Sequence, residues 1–119
     1  MPPVVEYQLW RQLKGAFKVN RIMFVPITLG LDDYHLEQHA TMEEALASCT
    51  GDRVFLESKG SKGMHDIPQG DIVLITGNTE QSNLSFAESD ETYKIKSPQR
   101  TALYPTEAAA IALAIRYGQ

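Results

Sequence analysis

Between Val5 and Val19 the apolar residues Leu9, Trp10, Leu13, Ala16 and Phe17 share one arc when drawn at about 100° per residue, and Arg11, Lys14 and Lys18 occupy the opposite one. This spacing predicts an amphipathic helix with a solvated basic face, weakened at Gly15. Residues Arg21 to Ile27 form a short apolar run closed by Pro26, which predicts a buried strand leading into a polar connection over Thr28 to Ala40. Thr41-Met42-Glu43-Glu44 has the form of a capping box, and Met42, Ala45, Leu46 and Cys49 follow at helical spacing, so Cys49 is expected on the buried face of a helix closed by Gly51-Asp52. Arg53 to Glu57, Asp71 to Thr76 and Thr92 to Ile95 then read as strands. The last element, Pro105 to Tyr117, starts at a proline whose missing amide costs nothing there and stops at Gly118. Strands that alternate with helices and are buried on both faces predict an α/β fold with a mainly parallel sheet. The final helix is apolar on every side, so it needs cover beyond one sheet face, and a homodimer through this helix is expected.

Composition narrows the function classes. The chain has 119 residues, 43% hydrophobic and 22% charged, which suits one globular domain over residues 1–119. No apolar run reaches the roughly 18 residues of a membrane span, and Met1-Pro2-Pro3-Val4-Val5-Glu6 lacks the regions of a signal peptide, so a soluble cytoplasmic protein is expected. Cys49 is the one cysteine, which leaves no internal disulfide and no cysteine-rich zinc site. A net charge of −4 argues against a protein that coats nucleic acid without specificity. The positive charge is local: Arg11, Lys14, Lys18 and Arg21 share a stretch without carboxylates, while Asp32 to Glu57 and Glu80 to Glu91 hold most of the acidic residues.

Several candidate chemistries can be weighed on spacing. Lys59-Gly60-Ser61-Lys62-Gly63 lacks the spacing of a nucleotide phosphate loop and opens no helix, so it reads as a surface loop with two positive charges. His35, His39 and His65 are too scattered for a metal pair, and no metal is expected. Asp32-Asp33 does not sit at a strand end as a phospho-acceptor pair would. Three loops after consecutive strands are more informative: Gly77 to Ser85, Ile95-Lys96-Ser97-Pro98, and Ala102 to Ala108. Ligands of open α/β sheets bind outside the carboxyl ends of the strands, and three such exits make a cleft.

At these loops the chain resembles the SPOUT superfamily of knotted RNA methyltransferases, in particular the TrmH-like tRNA ribose 2′-O-methyltransferases. Gly77-Asn78, Glu80 and Leu84-Ser85 match the family's first loop with one inserted residue, Ile95 heads the second, and Ala102-Leu103, Thr106 and the Ala108 helix match the third. Upstream, Gly30-Leu31-Asp32-Asp33-Tyr34-His35 looks like the family's Gly-Leu-Asp-Tyr-His segment, and Lys59-Gly60-Ser61 is similar to its turn after the third strand. Tyr104 stands where the motif has asparagine, Lys96-Ser97 replaces Pro-Met, and the family's first strand has no counterpart before the first helix.

The resemblance implies a C-terminal trefoil knot and a bent S-adenosylmethionine pocket shared by two subunits. Main-chain groups around Gly77, Asn78, Ile95 and Leu103 would hold the cofactor, with Thr76, Ser97 and Thr106 beside them. Arg11, Glu80 and Tyr104 take the candidate catalytic positions, and Arg11, Lys14, Lys18, Lys59 and Lys62 the RNA phosphates. The methyl group would pass to a ribose 2′-oxygen of tRNA or rRNA. Two other readings stay open: a non-catalytic module of this fold that binds S-adenosylmethionine or a nucleotide, and a purely structural dimer.

Overall fold

In the computed structural model, which describes residues 3–28, 36–77, 84–96 and 103–118, every strand pair is parallel. The chain divides into two compact units, Met1–Cys49 and Thr50–Gln119.

In the first unit, α1 (Pro3–Ala16) turns Tyr7 inward, where its ring lies 4.3 Å from that of Phe24, and Trp10 meets Phe24 edge-on at 6.2 Å. Burial raises the Tyr7 phenol above its ordinary value, against a lowering hydrogen bond with Thr28. Leu9, Trp10, Leu13 and Phe17 of the predicted arc are half-buried, Tyr7 outside that arc is buried, and Ala16 is exposed. The helix closes as the Val19 amide donates to the Lys14 carbonyl at 3.0 Å, with Lys18 at φ +51° in the place glycine usually takes. Strand β1 (Met23–Phe24) pairs with β2 (Glu37–Gln38), which lies inside the expected polar connection. Two short pairings carry no periodicity that a sequence window detects.

Thr41 caps α2 (Met42–Ala47): its hydroxyl accepts from the Glu44 amide at 3.1 Å. The Glu44 carboxylate lies 3.6 Å from His39 Nδ1. This helix ends before Cys49, which is half-buried rather than on a helical face, its sulfur against the Ala45 carbonyl at 3.2 Å and Met23 Sδ at 3.7 Å. The Ser48 amide and hydroxyl both donate to the Ala45 carbonyl and close the helix a turn early.

In the second unit, β3 (Asp52–Leu56), β4 (Lys62–Gly63), β5 (Ile72–Thr76) and β6 (Thr92–Lys94) form one sheet in the order β4-β6-β3-β5. Val54 and Phe55 are both fully buried, so the apolar run of β3 is closed to water on both faces. Val54, Met64, Ile67, Tyr93 and Ala112 make the core, with Leu56, Leu74, Ile95 and Ile115 packed against it. The loop after β3 was expected at the surface, yet it leads directly into β4.

Helix α3 (Pro105–Tyr117) spans the predicted residues. Its Glu107 carboxylate accepts from the Tyr104 amide at 2.9 Å, and Gly118 ends it. Thr106, Ala109 and Ala112 face inward, while Ile111, Ala114 and Tyr117 remain exposed. Near its end Arg116 donates to the carbonyls of Pro68, Gln69 and Gly70, just ahead of β5. No helix among the described residues is long and apolar enough to cross a membrane.

Candidate functional site at the carboxyl edge of the sheet

Parallel pairing puts all four strand exits of the second unit at one edge. Leu56 on central β3 is level with Thr76 on one side and Tyr93 on the other. Thr76 and Gly77, both half-buried, therefore leave the sheet one strand away from β3, and Ile95 leaves it one strand away in the other direction. Because Arg116 ties the end of α3 to the start of β5, and α3 packs on β5, the helix runs against the strand. Its first turn, with Leu103, Tyr104 and Thr106, thus lies toward the same carboxyl edge.

Of the sequence-predicted set, Thr76, Gly77 and Ile95 leave the sheet at this edge on either side of β3, and Leu103 and Thr106 lie at the start of the helix that runs back along β5. Thr106 is buried, whereas Leu103 and Tyr104 are 40% and 46% exposed. Tyr104 occupies the N-cap position and uses only its main chain to start α3: its carbonyl accepts from the Ala108 amide at 3.0 Å. Asn78, Glu80 and Ser97 lie outside the described residues, as does the Gly30 to His35 segment.

Strand β6 follows β4 and β5 in the chain but lies between β3 and β4, so residues 57–61, which join those two, cross it. The crossing is tight: a Cβ on Gly60 would stand 2.3 Å from the Tyr93 carbonyl carbon. It is tied down by hydroxyls. The Ser61 amide donates to Thr92 Oγ1 at 3.0 Å, and the Ser61 and Thr92 hydroxyls both donate to the Ser89 carbonyl, at 2.6 and 2.8 Å. Lys62 Nζ sits 5.7 Å above the Tyr93 ring, a cation–π contact that engages this cation, whereas Lys59 is exposed in the turn.

In the first unit Arg11, Lys14 and Lys18 are exposed along and just beyond α1. Arg21 is not part of that free charge. It donates to both carboxylate oxygens of Glu37, at 2.9 and 2.6 Å, and to the Ser48 carbonyl at 2.8 Å. These hydrogen bonds hold the Glu37 carboxyl below its ordinary value, with burial opposing and the charges of Arg21 and Lys14 assisting. A depressed carboxylate pKa stabilises the fold above the unfolded-state value and ceases to do so as pH falls through the folded one. Wild type is therefore expected to exceed Glu37→Gln in urea midpoint at neutral pH, with the gap closing below the ordinary glutamate range. Both side chains are more than 40% exposed, so the gap is small, and one that widens in acid would contradict the assignment.

His39 lies between Glu37 and Glu44, with neither ring nitrogen hydrogen-bonded. The two carboxylates face different ring nitrogens and do not converge on one ion position, and among the described residues no group of three or more His, Cys, Asp or Glu side chains is placed to hold a metal.

Comparison with protein-family models and with curated proteins finds no match to this chain.

Proposed function

We propose that the protein is a SPOUT-like, S-adenosylmethionine-dependent ribose 2′-O-methyltransferase acting on tRNA or rRNA, with the carboxyl edge of the four-stranded sheet as its cofactor site. The observation that carries this reading is the convergence of Thr76–Gly77, Ile95 and the Leu103–Thr106 turn at that edge, where open α/β sheets take their ligands. The residues present suit an adenosyl group: Leu103 and Ile95 offer apolar surface for a base, and the main chain at Gly77 offers polar groups beside it.

When bound, the cofactor supplies a methyl group on a positively charged sulfur. That methyl group would go to the ribose 2′-oxygen, whose hydroxyl proton a general base of the protein would take up. Glu80 and Tyr104 are the proposed groups for orienting the acceptor and handling that proton, and Arg11, which belongs to the first unit, is proposed to contact the RNA. Arg11, Lys14, Lys18, Lys59 and Lys62 are proposed to position RNA phosphates, Lys62 from its seat on Tyr93. The second reading, a non-catalytic module of the same fold that binds S-adenosylmethionine or a nucleotide, draws on Tyr104, because a tyrosine provides no side-chain amide where the family has asparagine.

Calorimetric titration with S-adenosylhomocysteine tests the site. Micromolar binding at one site per subunit is expected, and no binding at millimolar ligand would overturn the methyltransferase reading and leave the non-catalytic module in its place. Transfer of labelled methyl to bulk RNA then separates them.

A homodimer through α3 belongs to this proposal. Its outward face carries Ile111, Ala114 and Tyr117, with Leu103 at its start, an apolar stripe of the kind that marks an interface. Ile111→Glu is expected to give a folded monomer in sedimentation. Ile115→Glu, by contrast, should unfold the unit, since Ile115 packs against the core. An Ile111→Glu dimer of unchanged stability would exclude this contact.

A further inference from the structure

His39 joins three elements of the first unit. Its amide donates to the Phe24 carbonyl at 2.8 Å, so it extends the β1–β2 ladder past Gln38. Its ring is largely buried and faces a carboxylate on each side: Nε2 lies 3.9 Å from Glu37 Oε1 on β2, and Nδ1 lies 3.6 Å from Glu44 Oε1 on α2. Among the described residues neither ring nitrogen has a hydrogen-bond partner, and both are closed to water. A neutral imidazole carries one N–H and one lone pair, so either tautomer turns a lone pair toward a carboxylate oxygen and leaves a buried acceptor unmet. Only the imidazolium offers a hydrogen to both sides. Beyond Glu37 stands a further charge, Arg21, whose guanidinium donates to that same Oε1 at 2.6 Å. The Arg21 hydrogen bonds are the largest cause that holds the Glu37 carboxyl low, and the charges of Arg21, His39 and Lys14 add to it. Among the described residues the ion pair of Glu44 is with His39.

We propose that His39 is a proton-operated clasp of the first unit: on protonation its ring donates to Glu44 and Glu37 together and ties β2 to α2. Shifts of less than about 1 Å bring both contacts within hydrogen-bond range. The unit is held loosely enough for one clasp to matter. Strands β1 and β2 pair over two residues each, and α2 has six, fewer than a helix needs to hold by itself. The clasp stabilises only while the ring carries its second proton. Its contribution is therefore present below the ordinary histidine value of about 6.5 and is lost as pH rises above it. It fades again where Glu44 itself takes a proton, near the ordinary glutamate value of about 4.3. The first unit is thus tightest in mildly acidic solution.

The test is urea unfolding of wild type, His39→Gln and Glu44→Gln at about pH 8 and about pH 5.5, followed by the fluorescence of Trp10, the one tryptophan of the chain and a residue of this unit. Between the two conditions the wild-type midpoint is expected to gain about 0.3 M on that of each variant, the size of a partly exposed ion pair divided by the urea slope. A histidine that only fills space gives a loss that is the same at both. Glu44→Gln keeps the Thr41 cap, which uses the Glu44 amide, so it leaves the fold intact. The 15N shifts of the His39 ring in the wild-type protein give a reading that needs no variant: at about pH 5.5 both nitrogens are expected to carry hydrogen, and in Glu44→Gln the titration should move to lower pH. A midpoint difference that does not change with pH, a Glu44→Gln protein with wild-type pH dependence, or a ring still neutral at about pH 5.5 would each overturn the clasp.

Discussion

Gly60→Ala is expected to destabilise the second unit by about 3 kcal/mol, the upper end of what overpacking costs in a well-packed region. The added methyl would lie 2.3 Å from the Tyr93 carbonyl carbon, 2.5 Å from its oxygen and 2.7 Å from the Lys94 amide nitrogen. All three atoms are main chain inside β6, so no side chain can rotate away to make room. Either loop 57–61 lifts, which breaks the Ser61 bonds to Thr92 and Ser89, or β6 moves away from β3. Against a total stability of about 5–15 kcal/mol, the loss is large. Urea unfolding followed by tyrosine fluorescence and circular dichroism would measure it, and S-adenosylhomocysteine titration should weaken in parallel because Ile95 follows the displaced strand. A Gly60→Ala protein within 1 kcal/mol of wild type would mean that the loop does not cross β6 this closely.

Phe55→Ala is expected to cost as much or more, about 3–5 kcal/mol. Among the described residues Phe55 is the largest fully buried side chain, and it is paired with Ile75 and Thr92 on the neighbouring strands. Its removal leaves a cavity in a sheet that is closed on both faces, where rigid strands limit collapse into the space. Phe55→Leu should recover most of the loss, which distinguishes filled volume from an aromatic requirement. The measurement is the urea midpoint of the three proteins. Equal midpoints for Phe55→Ala and wild type would exclude Phe55 from the core.

How much of this was legible beforehand depends on the length of the signal. Helix α3 is legible to its ends, because a proline at its first position, an alanine-rich run of strong helix formers and a terminal glycine all agree. The strands β3, β5 and β6 were each located to within a residue or two, as continuous apolar or β-branched runs bounded by turn residues. Strand β1 lies inside the run Arg21 to Ile27 that reads as a strand, whereas β2 and β4 have no sequence signal because two residues have no period, and their pairing partners lie 14 and 31 positions away. Cys49 was assigned to a helical face that ends before reaching it, since the Ser48 bonds to Ala45 compete locally with a further turn.

The candidate site was legible as three loops and not as one place. Thr76, Gly77, Ile95, Leu103 and Thr106 were named from loop composition and family resemblance, yet their convergence depends on parallel pairing and on the Arg116 contacts that set the direction of α3. Arg21 shares a stretch without carboxylates in sequence, and only the fold pairs it with Glu37, sixteen residues on.

The sequence by itself determined the kinds of element, their approximate limits and the α/β class, since these follow from the 3.6- and 2-residue periods and from capping and turn chemistry that act over a few residues. The tertiary structure alone decided that β6 enters between β3 and β4, that residues 57–61 cross it at Gly60, and which exits share an edge. Strand order is chosen by which apolar faces and main-chain partners meet across tens of residues. No local period encodes that choice.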